Sequence, residues 1–258
     1  MLLALAQAIA ALRLVEAGAG SADAPLLPTP FPPQMDLFAA GDPMLPVAGS
    51  AGPARPVACY RLPVLLAAPN STLIAFASAR NWTGDGCHPK HPVIVNPSPG
   101  GGNLTQYLAL RVSKDRGATW GPIRQATAHQ FIDFQAVYDS ESGAIIVMSC
   151  YSPKAPHASS CGGGGNWIQT RSTDLGRTFT EPTAIKPSSP TALGPAAEQG
   201  LTMGPARALQ LRTGTHAGRL LFCAHQTAVV DHHPGSIAPV FVSDDGGRSY
   251  RTTSVLPR

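Results

Sequence analysis

The sequence predicts an all-β chain built as a β-propeller, on three observations. A single pattern, Ser-x-Asp-x-Gly-x-Thr/Ser-aromatic, occurs three times: Ser113 to Trp120, Ser172 to Phe179 and Ser243 to Tyr250. These residue types describe a hairpin turn. The aspartate caps backbone N–H groups, the glycine supplies a positive φ, and the aromatic ring folds back under the turn. The repeats begin about 60 and then about 70 residues apart, too irregular for a solenoid and suited to blades of about 50 residues with loop insertions. Between them, short apolar runs alternate with turn signals, as strands do. Composition agrees: 26 glycines and 26 prolines accompany a charged fraction of 13%, about half the usual share. A length of 258 residues is within reach of one large β domain.

Residues 1–24 open on the apolar run MLLALAQAIAAL and end among small residues, the outline of a signal peptide. The run has no preceding Lys or Arg and is short for a membrane span, so a first amphipathic helix is the other reading. Three glycosylation sequons, at Asn70, Asn81 and Asn103, agree with secretory passage to an extracellular or lysosomal destination. From Pro25 to Pro56 there are nine prolines, which predicts an extended, poorly ordered leader over 25–56. The folded domain is then expected over 57–258, with room for about three or four blades.

In that domain Leu62 to Ala68 and Leu73 to Ala77 flank the turn signal Pro69-Asn70-Ser71 and read as a buried hairpin. Arg61 enters its first strand and Arg80 leaves its second, putting two guanidinium groups near strand ends, where sheets present chemistry. The next loop brings up Asp85, then His88 and His91. That pair lacks the carboxylate or cysteine pair of a zinc signature, so no metal is expected. Tyr107 to Val112 alternates and feeds the first turn motif. Phe131 to Asp139 and Ala144 to Cys150 form a second hairpin around Ser140 to Gly143. Gly162 to Gly165 lacks the Gly-Lys-Ser/Thr of a phosphate loop, and no cofactor is expected. Asn166 to Arg171 runs into the second turn motif. Met203 to Leu211, Arg219 to His225 and Val240 to Tyr250 complete the strands.

Cys150 and Cys161 flank a short loop and are expected to bridge in an oxidising compartment. With five cysteines, at least one of Cys59, Cys87 and Cys223 is then unpaired or has its partner outside the chain. The formal charge of +4 comes from no basic run and no Lys/Arg interleaved with aromatics, which excludes nucleic acid as a partner. A mild arginine excess suits an anionic small substrate.

Tyr60-Arg61-Leu62-Pro63, followed by Leu73-Ile74-Ala75-Phe76-Ala77, Arg80 and Asp85 in that order, resembles the start of the catalytic domain of exo-sialidases (neuraminidases), and the repeated turn is their Asp-box. The resemblance implies that Arg61 is the first of three substrate-binding arginines, that Arg80 also binds substrate, and that Asp85 is the acid/base. His225 falls where animal sialidases have a tyrosine lining the glycerol side-chain pocket. There are departures: Ser78 stands in place of a frequent glutamate, Asp133-Phe134 in place of Asn-Pro, and Ala206 in place of a second glycine.

The implied activity is hydrolysis of terminal sialic acids from glycoproteins, gangliosides and oligosaccharides, a step of carbohydrate metabolism. A sialic acid carboxylate calls for guanidinium forks, and the family's tyrosine nucleophile spares it a second carboxylate. In the family a glutamate, the second and third arginines and that tyrosine follow the third Asp-box. No residue here takes those roles, so the chain is expected to be a piece of a longer product. A non-catalytic Asp-box propeller that binds glycans or proteins is the alternative, because Asp-boxes define the fold and not the activity.

Overall fold

The computed structural model describes residues 35–82, 105–151, 166–188, 202–204, 206–230, 233–237 and 239–253, and its regular elements are all β-strands. Asp36–Arg258 make up one unit. Two short strands, β1 (Pro43–Met44) and β2 (Arg55–Pro56), pair antiparallel. Sheet one sets β3 (Cys59–Ala68), β4 (Thr72–Arg80), β5 (Gln106–Ser113) and β6 (Arg124–Gln130) side by side in chain order. Sheet two repeats the plan with β7 (Ile132–Asp139), β8 (Ala144–Tyr151), β9 (Asn166–Ser172) and β10 (Thr183–Ile185). The first strand of sheet three is interrupted. Its pieces β11 (Thr202–Met203) and β13 (Leu209–Gln210) pair with β14 (Leu220–Val230), while β12 (Ala206–Arg207) between them pairs in parallel with β7 of sheet two. β15 (His233–Ile237) and β16 (Val240–Ser243) also pair with β14, and β17 (Arg251–Thr252) lies beside β16.

The hairpin turns form where the sequence places them. Asn70 and Ser71 adopt φ of 57° and 59° between the paired Ala68 and Thr72. Pro69, with no N–H to give a ladder, stands outside the pairing. Between Asp139 and Ala144, Gly143 takes φ 70° and its N–H donates to the Asp139 carbonyl at 2.9 Å.

Sheet two is buried on both faces, which explains the unbroken apolar run AIIVM at 144–148. Successive side chains of a strand point to opposite sides. Phe134, Ala136, Ile145 and Val147 accordingly pack with Leu66, Ile74, Phe76, Leu108 and Leu110 of sheet one. Val137, Ile146 and Met148 pack with Met203, Leu220, Phe222 and Phe241 of sheet three. With Asp139 and Gln169, Gln135 is one of the buried polar residues on that second face. Its amide donates to the carbonyls of Gly204 (2.7 Å) and Cys223 (2.8 Å) and accepts from the Cys223 N–H (2.8 Å), so it stitches sheet two to sheet three through otherwise exposed backbone groups.

Each Asp-box links the third strand of its sheet to the fourth. In all three the serine hydroxyl donates to the aspartate and accepts from the glycine N–H. The aspartate also accepts from the N–H and hydroxyl of the following Thr119, Thr178 or Ser249. Positive φ occurs at the glycine and also at the residue before it: Arg116 and Gly117, Leu175 and Gly176, Gly246 and Gly247. The second and third boxes rest on the preceding sheet. Phe179 meets Phe76 edge to face at 6.2 Å, and Arg124 donates to the Gly176 carbonyl. Gln169 and Arg171 donate to the carbonyls of Gly247 (3.0 Å) and Gly246 (2.8 Å), and the buried Tyr250 hydroxyl donates to Gln169. The ring of Trp120 instead stays with its own turn, its indole N–H on the Gly117 carbonyl at 3.1 Å.

The expected leader over 25–56 differs from what the structure shows from Asp36 on. Met44 is buried and, with Val57 and Phe38, packs on Ala79, Ala109 and Tyr107 on the outer face of sheet one. Tyr60 holds the segment, stacking its ring 5.2 Å from Phe38 and donating its hydroxyl to the Asp42 carbonyl at 3.1 Å. Proline restricts the backbone without preventing burial of the apolar residues between prolines, and that is why composition pointed to disorder. The possible signal peptide lies outside the described residues.

The boxes make low-pH stability predictable. Hydrogen bonds from Thr119 and Ser113 hold the Asp115 carboxyl down to about 2. Partial burial pushes Asp245 up, but hydrogen bonds from Ser249, Ser243 and Arg248 outweigh it and bring that group to about 2. A carboxyl depressed in the folded state contributes stability that is complete above its unfolded value, about 3.9, and is lost as pH falls through the folded value. The melting temperature should therefore fall between about pH 4 and pH 2. Ser249→Ala should flatten that fall; an unchanged pH slope in thermal melts of the variant would reject the boxes as its source.

Candidate functional site

Antiparallel pairing sends the three Asp-boxes to one end of the sheets, and Arg61, Arg80, Gln106 and Asp133 to the other. Of the three register shifts at this end, in β3, β5 and β7, two bear on the charged residues. Between Arg61 and Val64 the register of β3 against β4 shifts, with Leu62 at φ 57°. The extra residue absorbs Pro63, which cannot serve the ladder, and sets the direction of the strand start. Arg61 pairs with Ser78, and Arg80 with Cys59 and Gln106. Ser78 and Arg80 are two residues apart on β4, so Arg61 and Arg80 share one side of sheet one as diagonal neighbours. Arg61 lines a largely apolar cavity of about 450 Å³ with Phe38, Tyr60, Pro63, Val64 and Phe76.

The second bulge lies between Ile132 and Phe134 at the start of β7, with Asp133 at φ 37° and its carbonyl accepting the Ser149 hydroxyl at 2.9 Å. This bulge carries a carboxylate from sheet two to sheet one. The Arg80 Nη2 stands 3.8 Å from the Asp133 carboxylate, with those side chains 6% and 16% exposed, a distance that makes an ion pair and not a hydrogen bond. Trp82 covers the guanidinium at 5.0 Å from its ring centre, within cation–π range. Arg80 is thus a buried, charge-compensated arginine, whereas Arg61 is half-buried beside a cavity.

Of the residues expected from sequence, the structure brings Arg61 and Arg80 to one side of sheet one. His225 lies on β14 of sheet three, its backbone opposite Thr202. Asp85, His88, His91, Cys87 and Cys161 lie outside the described residues. Cys59 is disulfide-bonded, and Cys223 is a free thiol. Asp133 was visible in sequence as a departure from Asn-Pro; its partner was not, because Arg80 is distant in the chain and only sheet packing joins them. A second pairing joins two segments that the family resemblance singled out separately: Gln210 donates to the Asp139 carboxylate at 2.6 Å and accepts from Ser140.

No protein-family model matches the sequence. The chain is 29% identical over 207 residues to a sialidase of Micromonospora viridifaciens, in a stretch covering 74% of this chain and 28% of that one. Its fold superposes on a Hadza microbial sialidase (TM-score 0.55, 20% identity, 78% of this chain and 38% of the other). A leech intramolecular trans-sialidase also superposes (TM-score 0.56, 14% identity, 87% and 46%), as does an N-acetylgalactosamine deacetylase from F. plautii (TM-score 0.50, 15% identity, 81% and 57%). The chain spans under half the length of each of these sialidases. Sheets, boxes and superpositions together define part of a β-propeller of the sialidase type. In sequence as well, the chain is a homologue of sialidases.

Asp133→Ala removes the carboxylate from a buried guanidinium and should lower the unfolding free energy by about 3 kcal/mol. Urea unfolding checks this against Glu181→Ala, which removes an exposed carboxylate. Equal losses in the two variants would mean that the Arg80–Asp133 pair is no structural tie between the sheets.

Proposed function

We propose that the chain contributes to an exo-α-sialidase site that hydrolyses terminal sialic acids from glycoconjugates. The observation that carries this reading is Arg61, set by the bulge in Tyr60-Arg61-Leu62-Pro63 on the same side of sheet one as Arg80. Arg61 offers its fork to the sugar carboxylate, with charge-assisted, bidentate hydrogen bonds. Arg80, already paired with Asp133, makes a donor–acceptor couple better matched to sugar hydroxyls than to a second carboxylate. Asp85, in the segment that leaves β4 just beyond Arg80, protonates the leaving oxygen. His225 contributes to the glycerol end of the pocket. The substrates are sialylated glycoproteins, gangliosides and oligosaccharides. The sequons and the Cys59 disulfide support a secretory route, extracellular or lysosomal.

The second reading is a non-catalytic propeller that binds glycans or proteins; the fold also superposes on a protein described as an N-acetylgalactosamine deacetylase, so the fold by itself does not specify sialidase activity.

Two measurements test the first reading. Arg61→Lys should weaken binding of sialic acid and of its planar unsaturated analogue alike, by about 1.5 to 3 kcal/mol in calorimetry; undiminished binding overturns the carboxylate role. In a product that carries the nucleophile, Asp85→Asn should slow hydrolysis of a natural sialoside by about 10² to 10⁴ and of an activated aryl sialoside far less. Equal slowing removes Asp85 as the acid, and an active-length protein that cleaves neither substrate leaves the binding propeller as the better reading.

A further inference from the structure

The end of the sheets opposite Arg61 carries a second cavity, of about 370 Å³, where the second Asp-box rests against sheet one. Lys114, Arg124 and Arg177 line it, with Val112 and Leu175 as apolar walls and Asp174 at its edge. Three cations thus face one carboxylate: Asp174 attracts the Arg124 charge while accepting hydrogen bonds from Ser172, from the Thr178 N–H and from the Thr178 hydroxyl. Arg124 is fixed in place by donating Nη2 to the Gly176 carbonyl, while its Nη1 is buried and meets no acceptor among the described residues. Held in this way, Arg124 contributes its positive charge to the cavity wall. Lys114 and Arg177 are exposed and can close on a ligand from the rim.

The next junction provides a contrast. A cavity of about 430 Å³ there is lined by Arg171 and Arg248, the latter at the same box position as Arg177. Arg171 gives Nη1 to the Gly246 carbonyl at 2.8 Å, and Arg248 gives Nη1 to the Asp245 carbonyl at 3.1 Å. That junction meets its arginine donors from its own backbone. The first junction leaves one unmet and adds a lysine.

We propose that the cavity between sheet one and the second Asp-box binds a small anionic ligand of about monosaccharide size, held through a sulfate, phosphate or carboxylate group by Lys114, Arg124 and Arg177. A volume of about 370 Å³ lies at the small end of ligand pockets, and the excess of two positive charges matches a monoanion or dianion. This site is separate from the one at Arg61 and does not depend on sialidase activity.

Calorimetric titration of the full chain with sodium sulfate and with sodium glucuronate, at ionic strength fixed with chloride, tests it. Saturable one-site binding of either anion is expected: sulfate alone assigns a tetrahedral oxyanion, glucuronate alone an acidic sugar. Lys114→Gln combined with Arg177→Gln should weaken that binding at least about tenfold. Because both side chains are exposed, the melting curve should stay that of the wild type. Arg116→Gln, on the same end but outside the cavity, should bind as the wild type does. Absence of saturable binding for both anions, or undiminished binding by the double variant, overturns the proposal.

Discussion

A sheet buried on both faces has no polar face to turn to solvent, and sheet two is in that position between sheets one and three. Every polar group at its two junctions must therefore find a partner across the junction or within its own turn. Gln135 meets this demand in the middle of the sheet, and Gln169 and Arg171 meet it where the third Asp-box lands. Arg124 does the same for the second box from the side of sheet one. The Asp-boxes are then more than hairpin turns. Each spends its serine and aspartate on its own backbone and so holds its glycine carbonyls in a fixed direction, and in the second and third boxes a neighbouring sheet donates to them.

The same constraint bears on the other end of the sheets. Tight turns, boxes and interlocking side chains occupy one end of the sheets; the two ladder irregularities that present charges, at Leu62-Pro63 and at Asp133, occupy the opposite one. A bulge leaves a residue outside the regular ladder and redirects the strand. It lets a charged side chain stand at the head of an apolar junction without breaking the core below, formed by Val64, Leu66, Ile74 and Phe76. Arg80 takes the buried place and is compensated by Asp133 from the adjoining sheet, whereas Arg61 takes the place beside the cavity. Two arginines that look alike in sequence are given different chemistry by burial.

The Asp-box end shows the opposite economy. Arg171 and Arg248 serve backbone carbonyls there, while Arg219 and Arg251 pair with Asp244. At the first junction a lysine joins two arginines, and positive charge exceeds the one carboxylate of that cavity.

What the sequence determined by itself was local. Hairpin turns at 69–71 and 140–143, the capped boxes, the strand runs and the order of Arg61, Arg80 and Asp85 all depend on residues within a turn or a strand of one another, and residue type is enough to specify them. The box motif announced the aspartate cap and the glycine φ, but not the serine hydroxyl that accepts from the glycine N–H, nor that the residue before each glycine shares its positive φ. What only the tertiary structure decided was between sheets. Nothing near Asp133 in sequence points to Arg80, nothing near Asp139 points to Gln210, and nothing near Gln135 points to Cys223. The stretch from Asp36 to Pro56 read as a leader because of its prolines, and it packs because sheet one leaves a face for Met44 and Phe38 to cover. The physical reason is common to these cases: burial and ion pairing depend on which surfaces meet in space, and a strand's own residues encode its two faces but not what lies against each.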